Sequence, residues 1–392
     1  MDRKTQMGLK MLPVMLAACW SVSSVAAGGS QAVDKAALDT QIKQLEQLHQ
    51  QYQSELEKLQ QTRLGYEQSL EAADEESLSS LKAMMERVSI FGFFRAKYDH
   101  DDQEPVGSGA NNKHFYMDLE GKMKVSEDWN ANFQIETRKG YTVSQSWRKG
   151  DNGSSDQDGT LQRIWVEGRP GGVGVTLGTK WWGYGFQAVP FGHAADGIQL
   201  DYDIVPEWNA KAFWLRPRQG DLVTMPNSSD ISIVGANLTG SLTDDLQTSL
   251  TFATNDNYND DQKMDRMGAF ELQYKLTDDI LLRGAFAMTN ADHHNTSQEY
   301  RIDYKDTDLA QVGSYGIYLR YIDFRRYGDY SHDDEWGSLP SDARGGILGV
   351  KYVLFKNVVW ETFYSVQERD RAGSFEPGAY RHLFRTQIDF HF

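Results

Sequence analysis

From Val88 to Phe392 apolar and polar residues alternate one by one, and the polar positions are heavily charged. Phe115, Met117, Leu119, Gly121, Met123 and Val125 fall on one side; Tyr116, Asp118, Glu120, Lys122 and Lys124 fall on the other. The same holds for Trp129, Ala131, Phe133 and Ile135 against Asn132, Gln134, Glu136 and Arg138, and for Phe270, Leu272, Tyr274 and Leu276 against Glu271, Gln273 and Lys275. A period of two is that of a β-strand. Strands this charged on one face cannot close over a dry core, because each unpaired buried charge costs several kcal/mol. The apolar face must then look outward and water must fill the interior, which is the arrangement of a transmembrane β-barrel.

The joints between these runs are of two kinds. Short ones place a few polar turn formers between apolar ends: Val125-Ser126-Glu127-Asp128-Trp129, Leu242-Thr243-Asp244-Asp245-Leu246, Leu276-Thr277-Asp278-Asp279-Ile280 and Phe355-Lys356-Asn357-Val358. Arg169-Pro170-Gly171-Gly172 and Val205-Pro206-Glu207-Trp208 are further members. Long ones, rich in Gly, Asn, Asp and Ser, cover 99–112, 144–159, 216–229, 255–266, 290–297, 324–343 and 368–380. The two kinds alternate, as a barrel with one short-turn rim and one long-loop rim requires and a β-sandwich does not. Fifteen runs stand out as strands, from 88–98 to 381–392, and an odd number breaks the alternation. A strand at Gln298 to Tyr304 with a short turn at Lys305 to Asp308 restores it. The expectation is an all-β transmembrane barrel of 16 antiparallel strands, with 14 and 18 as alternatives, near the size at which a lumen becomes an aqueous channel.

Two segments precede the barrel. Residues 1–27 read as a signal peptide: Arg3, Lys4 and Lys10 come before the apolar run Met11 to Ala18, and Val25-Ala26-Ala27 offers a cleavage site. Leu16-Ala17-Ala18-Cys19 resembles a bacterial lipobox, the alternative reading; a barrel already held in its membrane gains little from a lipid. Either route takes the chain out of the cytoplasm. Residues 28–87 read as an α-helical coiled-coil stalk in the periplasm. Leu38, Ile42, Leu45, Tyr52, Leu56, Leu59, Tyr66 and Leu70, with the polar His49 and Arg63, form a heptad seam that would stay wet without a parallel partner. An amphipathic helix folded back on its own domain is the plainer reading. Glu71 to Ser80 breaks the seam and is expected to be a flexible acidic collar. No run approaches the ~20 apolar residues of a spanning helix. The single cysteine, Cys19, leaves no thiol chemistry after cleavage, and a formal charge of -16 argues against nucleic acid as a partner.

Val175-Thr176-Leu177-Gly178-Thr179-Lys180-Trp181, then Trp182 to Asp196, then Gly197-Ile198-Gln199-Leu200-Asp201-Tyr202 resembles the fifth strand, third loop and sixth strand of general bacterial porins. The terminal Phe392 resembles the last aromatic residue of outer-membrane barrels, part of the signal read by the barrel-assembly machinery. The resemblance covers 88–392 in architecture and only 175–202 and Phe392 in motif. It implies a bacterial outer-membrane location, a homotrimer, and a third loop, about 181–196, folded inward to narrow the channel. A coiled coil ahead of such a barrel is similar to stalked porins, sugar porins among them. This loop departs from the family in charge: Trp181, Trp182, Tyr184, Phe186 and Phe191 dominate, with His193 and Asp196 the only histidine and carboxylate past Lys180.

The inward set from the alternation is Arg95, Glu136, Arg138, Arg163, Lys180, Asp201, Asp203, Arg283, Arg320, Lys351 and Arg385. With Trp182, Tyr184, Phe186, Phe191 and Asp196 of the loop, these are the candidate pore-lining and constriction residues, since rings of charge set ion preference in pores. A solvated lumen residue or an ion pair within the wall is the bland account of each charge, and packing against the wall that of the aromatics. Trp129, Trp208, Trp360 and Tyr364 are expected in the interfacial girdle. No catalytic, cofactor or metal site is expected. The function so read is passive diffusion of small hydrophilic solutes and ions. A saccharide-preferring porin and a structural link between outer membrane and peptidoglycan are the alternatives.

Overall fold

A computed structural model describes residues 35–102, 113–140, 158–217, 231–256, 264–369 and 379–392. The expected signal peptide with Cys19, and much of the long joints near 103–112, 141–157, 218–230, 257–263 and 370–378, lie outside the described residues.

The chain divides into two units, Met1–Leu81 and Lys82–Phe392. The heptad segment forms one helix, α1, Lys35–Arg87, of 53 residues; at 1.5 Å per residue it extends about 80 Å. It runs unbroken through Glu71 to Ser80, so the expected flexible collar is helical backbone. Ala72, Ala73 and Leu78 are good helix formers, and Glu is nearly as good, so the backbone stays helical. The apolar seam is exposed along α1: Ile42, Leu45, Tyr52, Leu56, Leu59, Tyr66 and Leu70 all face solvent.

The second unit is a closed antiparallel barrel in which each strand bonds to its sequence neighbours and the last closes on the first. Its strands are β1 (Val88–Asp101), β2 (His114–Lys124), β3 (Trp129–Gly140), β4 (Asp158–Gly168), β5 (Gly174–Tyr184), β6 (Phe191–Val205), β7 (Trp208–Pro217) and β8 (Ser232–Ser241). The second half comprises β9 (Leu246–Asp256), β10 (Arg266–Lys275), β11 (Ile280–Thr289), β12 (Thr296–Tyr304), β13 (Tyr315–Phe324), β14 (Ala343–Phe355), β15 (Val358–Arg369) and β16 (Tyr380–His391). The strand inferred from parity alone is β12. Its following connection is longer than the expected four-residue turn, running from Lys305 to Ser314, because it folds over the next turn on that rim: Asn357 N donates to Leu309 O, and Gly313 N to Val353 O.

Closure is carried by the terminal strand. Gly92 N donates to Phe392 O and Phe392 N to Gly92 O, both at 3.1 Å, so the last residue completes the ladder that removes the sheet edges. Alternation then sorts the side chains. Phe94, Phe115, Leu177, Trp214, Phe252, Phe270, Tyr321, Phe384 and Phe390 are exposed on the outer face, and Trp129, Trp208, Trp360 and Tyr364 share its parity.

The inner face is not wholly wet. Two apolar clusters lie on it, one around Trp182, Tyr184, Phe191, Phe213, Ile233 and Tyr330, the other around Val189, Tyr318, Ile322, Phe324, Leu339 and Phe363. Each joins wall residues to residues of a long connection. The density of charge on the strands implied a water-filled interior throughout; loops entering the barrel supply the missing apolar partners.

Candidate functional site

Strand register brings the inner-face charges together in pairs. Arg95 stands opposite Asp389, and Arg385 opposite Asp99. Arg95 Nε and Nη2 reach the Asp389 carboxylate at 2.6 and 2.7 Å; Arg385 Nε and Nη2 reach that of Asp99 at 2.8 and 2.8 Å. Both are two-pronged guanidinium–carboxylate pairs, the strongest form of charge-assisted hydrogen bond. The Lys97 ammonium, fully buried, lies 3.3 Å from the same Asp99.

Most of the expected inward set is paired in this way. Arg163 meets Glu136 at 3.1 Å, Arg283 meets Asp303 at 3.0 Å, Arg320 meets Glu299 at 2.5 Å, and Lys351 lies 4.0 Å from Glu361. Asp201 and Asp203 both bind Arg169, on the connection between β4 and β5. Lys180 makes no ion pair among the described residues; its ammonium lies 5.7 Å from the Trp165 ring and 5.3 Å from that of Trp182, cation–π distances. The Arg138 guanidinium lies 5.0 Å from the ring of Trp336. Charges that would be costly alone are thus buried against partners on the same wall.

These eleven residues share the inner face; Asp196 does not. It pairs in register with Thr179 and Arg216, on the side of the sheet that exposes Leu177, Ile198 and Trp214. The expected loop is also shorter than 181–196. Trp181 pairs with Ala194, and Tyr184 with Phe191, leaving only Gly185 to Pro190 outside the ladder. Asp196 therefore obeys strand parity, which a loop residue would escape.

The hairpin tip leans inward. Phe186 N and Gln187 N donate to Glu271 Oε2 at 2.6 and 3.0 Å, although Glu271 is on β10, five strands round the ring from β5. Gly185 permits this approach: its φ is 84°, and a Cβ there would lie 1.8 Å from Glu271 Oε1. Trp182, Tyr184 and Phe191 are buried beneath the tip, Tyr184 stacking on Phe213 at 3.9 Å and Trp182 Nε1 donating to Ala195 O at 2.8 Å. Their rings are packed into the wall. Below the hairpin, Gly183, Gly185, Gln199, Asp201, Asn209, Lys211, Asn237 and Thr239 line a polar cavity of about 500 Å³.

A second connection enters from the same rim. The segment between β13 and β14, 325–342, meets the hairpin through Gly192 N donating to Ser331 O at 2.7 Å and Asp333 N donating to Ala188 O at 3.3 Å. Ser297 Oγ on β12 donates to Asp329 Oδ2 at 2.5 Å, and the Tyr330 hydroxyl to Ala253 O on β9 at 3.4 Å. Within the segment, His332 Nδ1 lies 3.0 Å from Asp329 Oδ2 and Nε2 2.9 Å from Leu339 O. Both ring nitrogens are placed to donate, which is the imidazolium form. Burial opposes that charge, but Asp329, the Leu339 carbonyl and nearby Asp334 hold the His332 pKa above its ordinary value. Burial, with Glu335 and Asp334 close by, pushes the Asp333 carboxyl up to about 6.

No protein-family model and no curated protein matches the chain. Among solved structures, a triple mutant of the Rhodopseudomonas blastica porin aligns over 78% of this chain and 100% of its own, at 12% identity and a TM-score of 0.50. A fivefold mutant of the same porin covers the same shares at 13% identity and a TM-score of 0.50. The barrel has the general bacterial porin fold. In this porin-type barrel the hairpin between β5 and β6 is the third long-rim connection and the segment 325–342 the seventh.

Several residues of the porin-type barrel's interior lay outside the sequence reading: Lys97, Asp99, Glu299 and Trp336. The first three have the same parity as the residues named, so the alternation carried a signal for them. Trp336 lies in a long loop, where no periodicity applies.

Proposed function

We propose that this chain forms a water-filled channel in the bacterial outer membrane, passing small hydrophilic solutes and ions by passive diffusion without a catalytic step. The observation that carries this is a closed barrel whose outer face is apolar and aromatic while its inner face holds paired charges beside an open polar cavity. An apolar exterior suits lipid on every strand, and a charged interior suits neither lipid nor a dry core. The inward-leaning third loop supports a narrowed passage near Gly185 to Pro190, lined on its open side by Lys211, Gln199 and Asn237. Reconstitution in planar bilayers tests the reading. Stepwise, ohmic conductance is expected, and folded protein that inserts without producing current steps would overturn it.

Self-association belongs to the same proposal. The exposed seam of α1 supports a parallel coiled coil that joins three chains in the periplasm, with peptidoglycan as a further partner of the stalk. A saccharide-preferring channel is the second reading. Trp182, Tyr184 and Phe191 are buried and so do not offer stacking faces; its support is the amide and hydroxyl groups of Gln199, Asn209, Asn237 and Thr239 in the cavity. Current that no sugar blocks would remove it.

A further inference from the structure

We propose that the seventh long loop, together with the third, sets the bore of this channel, and that Trp336 is the residue that seats it against the far wall. The inference rests on the channel reading above and adds to it the element that determines which solutes fit.

The first ground is the path of the loop. Its early part bonds to β9, β12 and the third loop through Tyr330, Asp329, Ser331 and Asp333. Its later part bonds to β15 and β16. Arg385 Nη1 donates to Glu335 O at 2.9 Å and Nη2 to Trp336 O at 3.0 Å; Arg381 Nη2 donates to Gly337 O at 2.8 Å, and Gln367 Nε2 to Ser338 O at 2.7 Å. Four consecutive carbonyls are therefore held by side chains that point into the barrel. The loop lies across the lumen, and its backbone bonds to the third loop make the two one bar.

The second ground is the seat of Trp336. Its ring meets Tyr116 edge-on at 4.5 Å and lies over three cations, with Arg138 at 5.0 Å, Lys97 at 5.4 Å and Arg95 at 5.6 Å. These groups come from β1, β2 and β3, whereas the loop springs from β13 and β14. A tryptophan face over cations is a favourable contact, more so away from water.

The third ground is backbone conformation. Glu335, Trp336 and Gly337 have φ of 42°, 64° and 78°, a left-handed run that includes two residues with side chains. Such conformations persist only where surroundings over-determine them, and they gather at functional clamps. Here the surroundings are the arginines of the wall and the ring seat of Trp336. A loop merely covering the mouth would need neither.

Single-channel recording on the full chain tests the proposal. Replacing residues 330–338 by a short Gly-Ser linker is expected to raise conductance about twofold or more and to admit larger neutral solutes, since bore limits flux in a pore. In a Cys19→Ala background, Trp336→Cys places a thiol at the seat, and a bulky methanethiosulfonate reagent is expected to cut the current stepwise. Unchanged conductance in the shortened variant, or a labelled thiol that leaves current unaltered, overturns the role of the loop. If the shortened variant does not insert, the thiol experiment decides alone. Wild-type protein that forms no channel would instead defeat the channel reading.

Discussion

Arg385 makes four hydrogen bonds with one guanidinium, two to Asp99 and one each to the carbonyls of Glu335 and Trp336. It is nearly fully buried, so its removal strands both a carboxylate and a loop backbone. Breaking a buried pair from one side costs about 3–5 kcal/mol. Arg385→Ala is expected near the lower end, because Lys97 remains 3.3 Å from Asp99. Arg385→Lys should recover part of the loss, since it keeps the charge but not the fork. Urea unfolding followed by tryptophan fluorescence measures both. Glu271 permits a cleaner contrast at the third loop. Glu271→Ala leaves Phe186 N and Gln187 N without their acceptor, at about 1–3 kcal/mol of local stability, whereas Glu271→Gln retains a side-chain oxygen. Faster amide exchange at positions 186 and 187 in the first variant, and much less in the second, is the expected result.

The seventh loop carries its own pH dependence. His332 has a raised pKa, so its contribution to loop stability is complete below the ordinary histidine value and is lost as pH rises through the raised one. Asp333, pushed up to about 6, is a carboxyl whose ionisation burial disfavours, so the folded loop loses stability as pH rises from the ordinary carboxylate range to about 6. The groups facing them are Asp329 and Asp334 at His332, and Glu335, Asp334 and Arg320 at Asp333. Both signs agree: amide protection over 329–340, taken relative to the unstructured exchange rate at each pH, should be greatest in acid and should fall as pH rises. Protection unchanged between pH 4 and 9 would show that neither group governs the loop. Helix α1 behaves as an element of another kind, since its seam is exposed from Ile42 to Leu70. The double variant Leu56→Asp, Leu59→Asp is expected to abolish chemical cross-linking of the full chain through the stalk, because two charges in consecutive seam positions cannot be buried cheaply.

At the scale of the molecule, the ladder between β1 and β16 closes the ring, and the last residue extends it. Phe392 exchanges two backbone hydrogen bonds with Gly92, and Phe390 is exposed on the outer face of the closed ring. Removing Phe392 is expected to lower the amount of folded barrel severalfold, measured by heat-modifiable mobility on gels, through loss of the closing bonds and of the assembly signal proposed for the terminal aromatic residue. Paired charges bear on the whole lumen as well. With Arg95, Arg163, Arg320 and Arg385 each bound to a carboxylate, total charge says little about which ions the bore favours, and its electrostatics depend on the groups left facing the open cavity, such as Lys211.

The sixteen strands were legible in the sequence because an antiparallel closed barrel has only local rules to satisfy. Each strand must alternate, and each hairpin must return to the rim its predecessor left. Parity alone located β12 between two clearer neighbours. The same rule marked Arg95 and Arg385 as inward, and it applies equally to Lys97 and Asp389. It could not place Asp196, because that depends on where β6 begins, and pairing with β5 carries the ladder up to Phe191. Nor could it see that the long segment 325–342 turns into the barrel, since that contact joins β13 to β16 and to β1 through β3 by hydrogen bonds and ring packing with no period. The sequence by itself determined the closed barrel, its two faces and its two rims, because these follow from spacing along the chain. Only the tertiary structure decided which charges neutralise one another and which loops fill the lumen, because those depend on strand register and on contacts across the ring, which spacing along the chain does not fix.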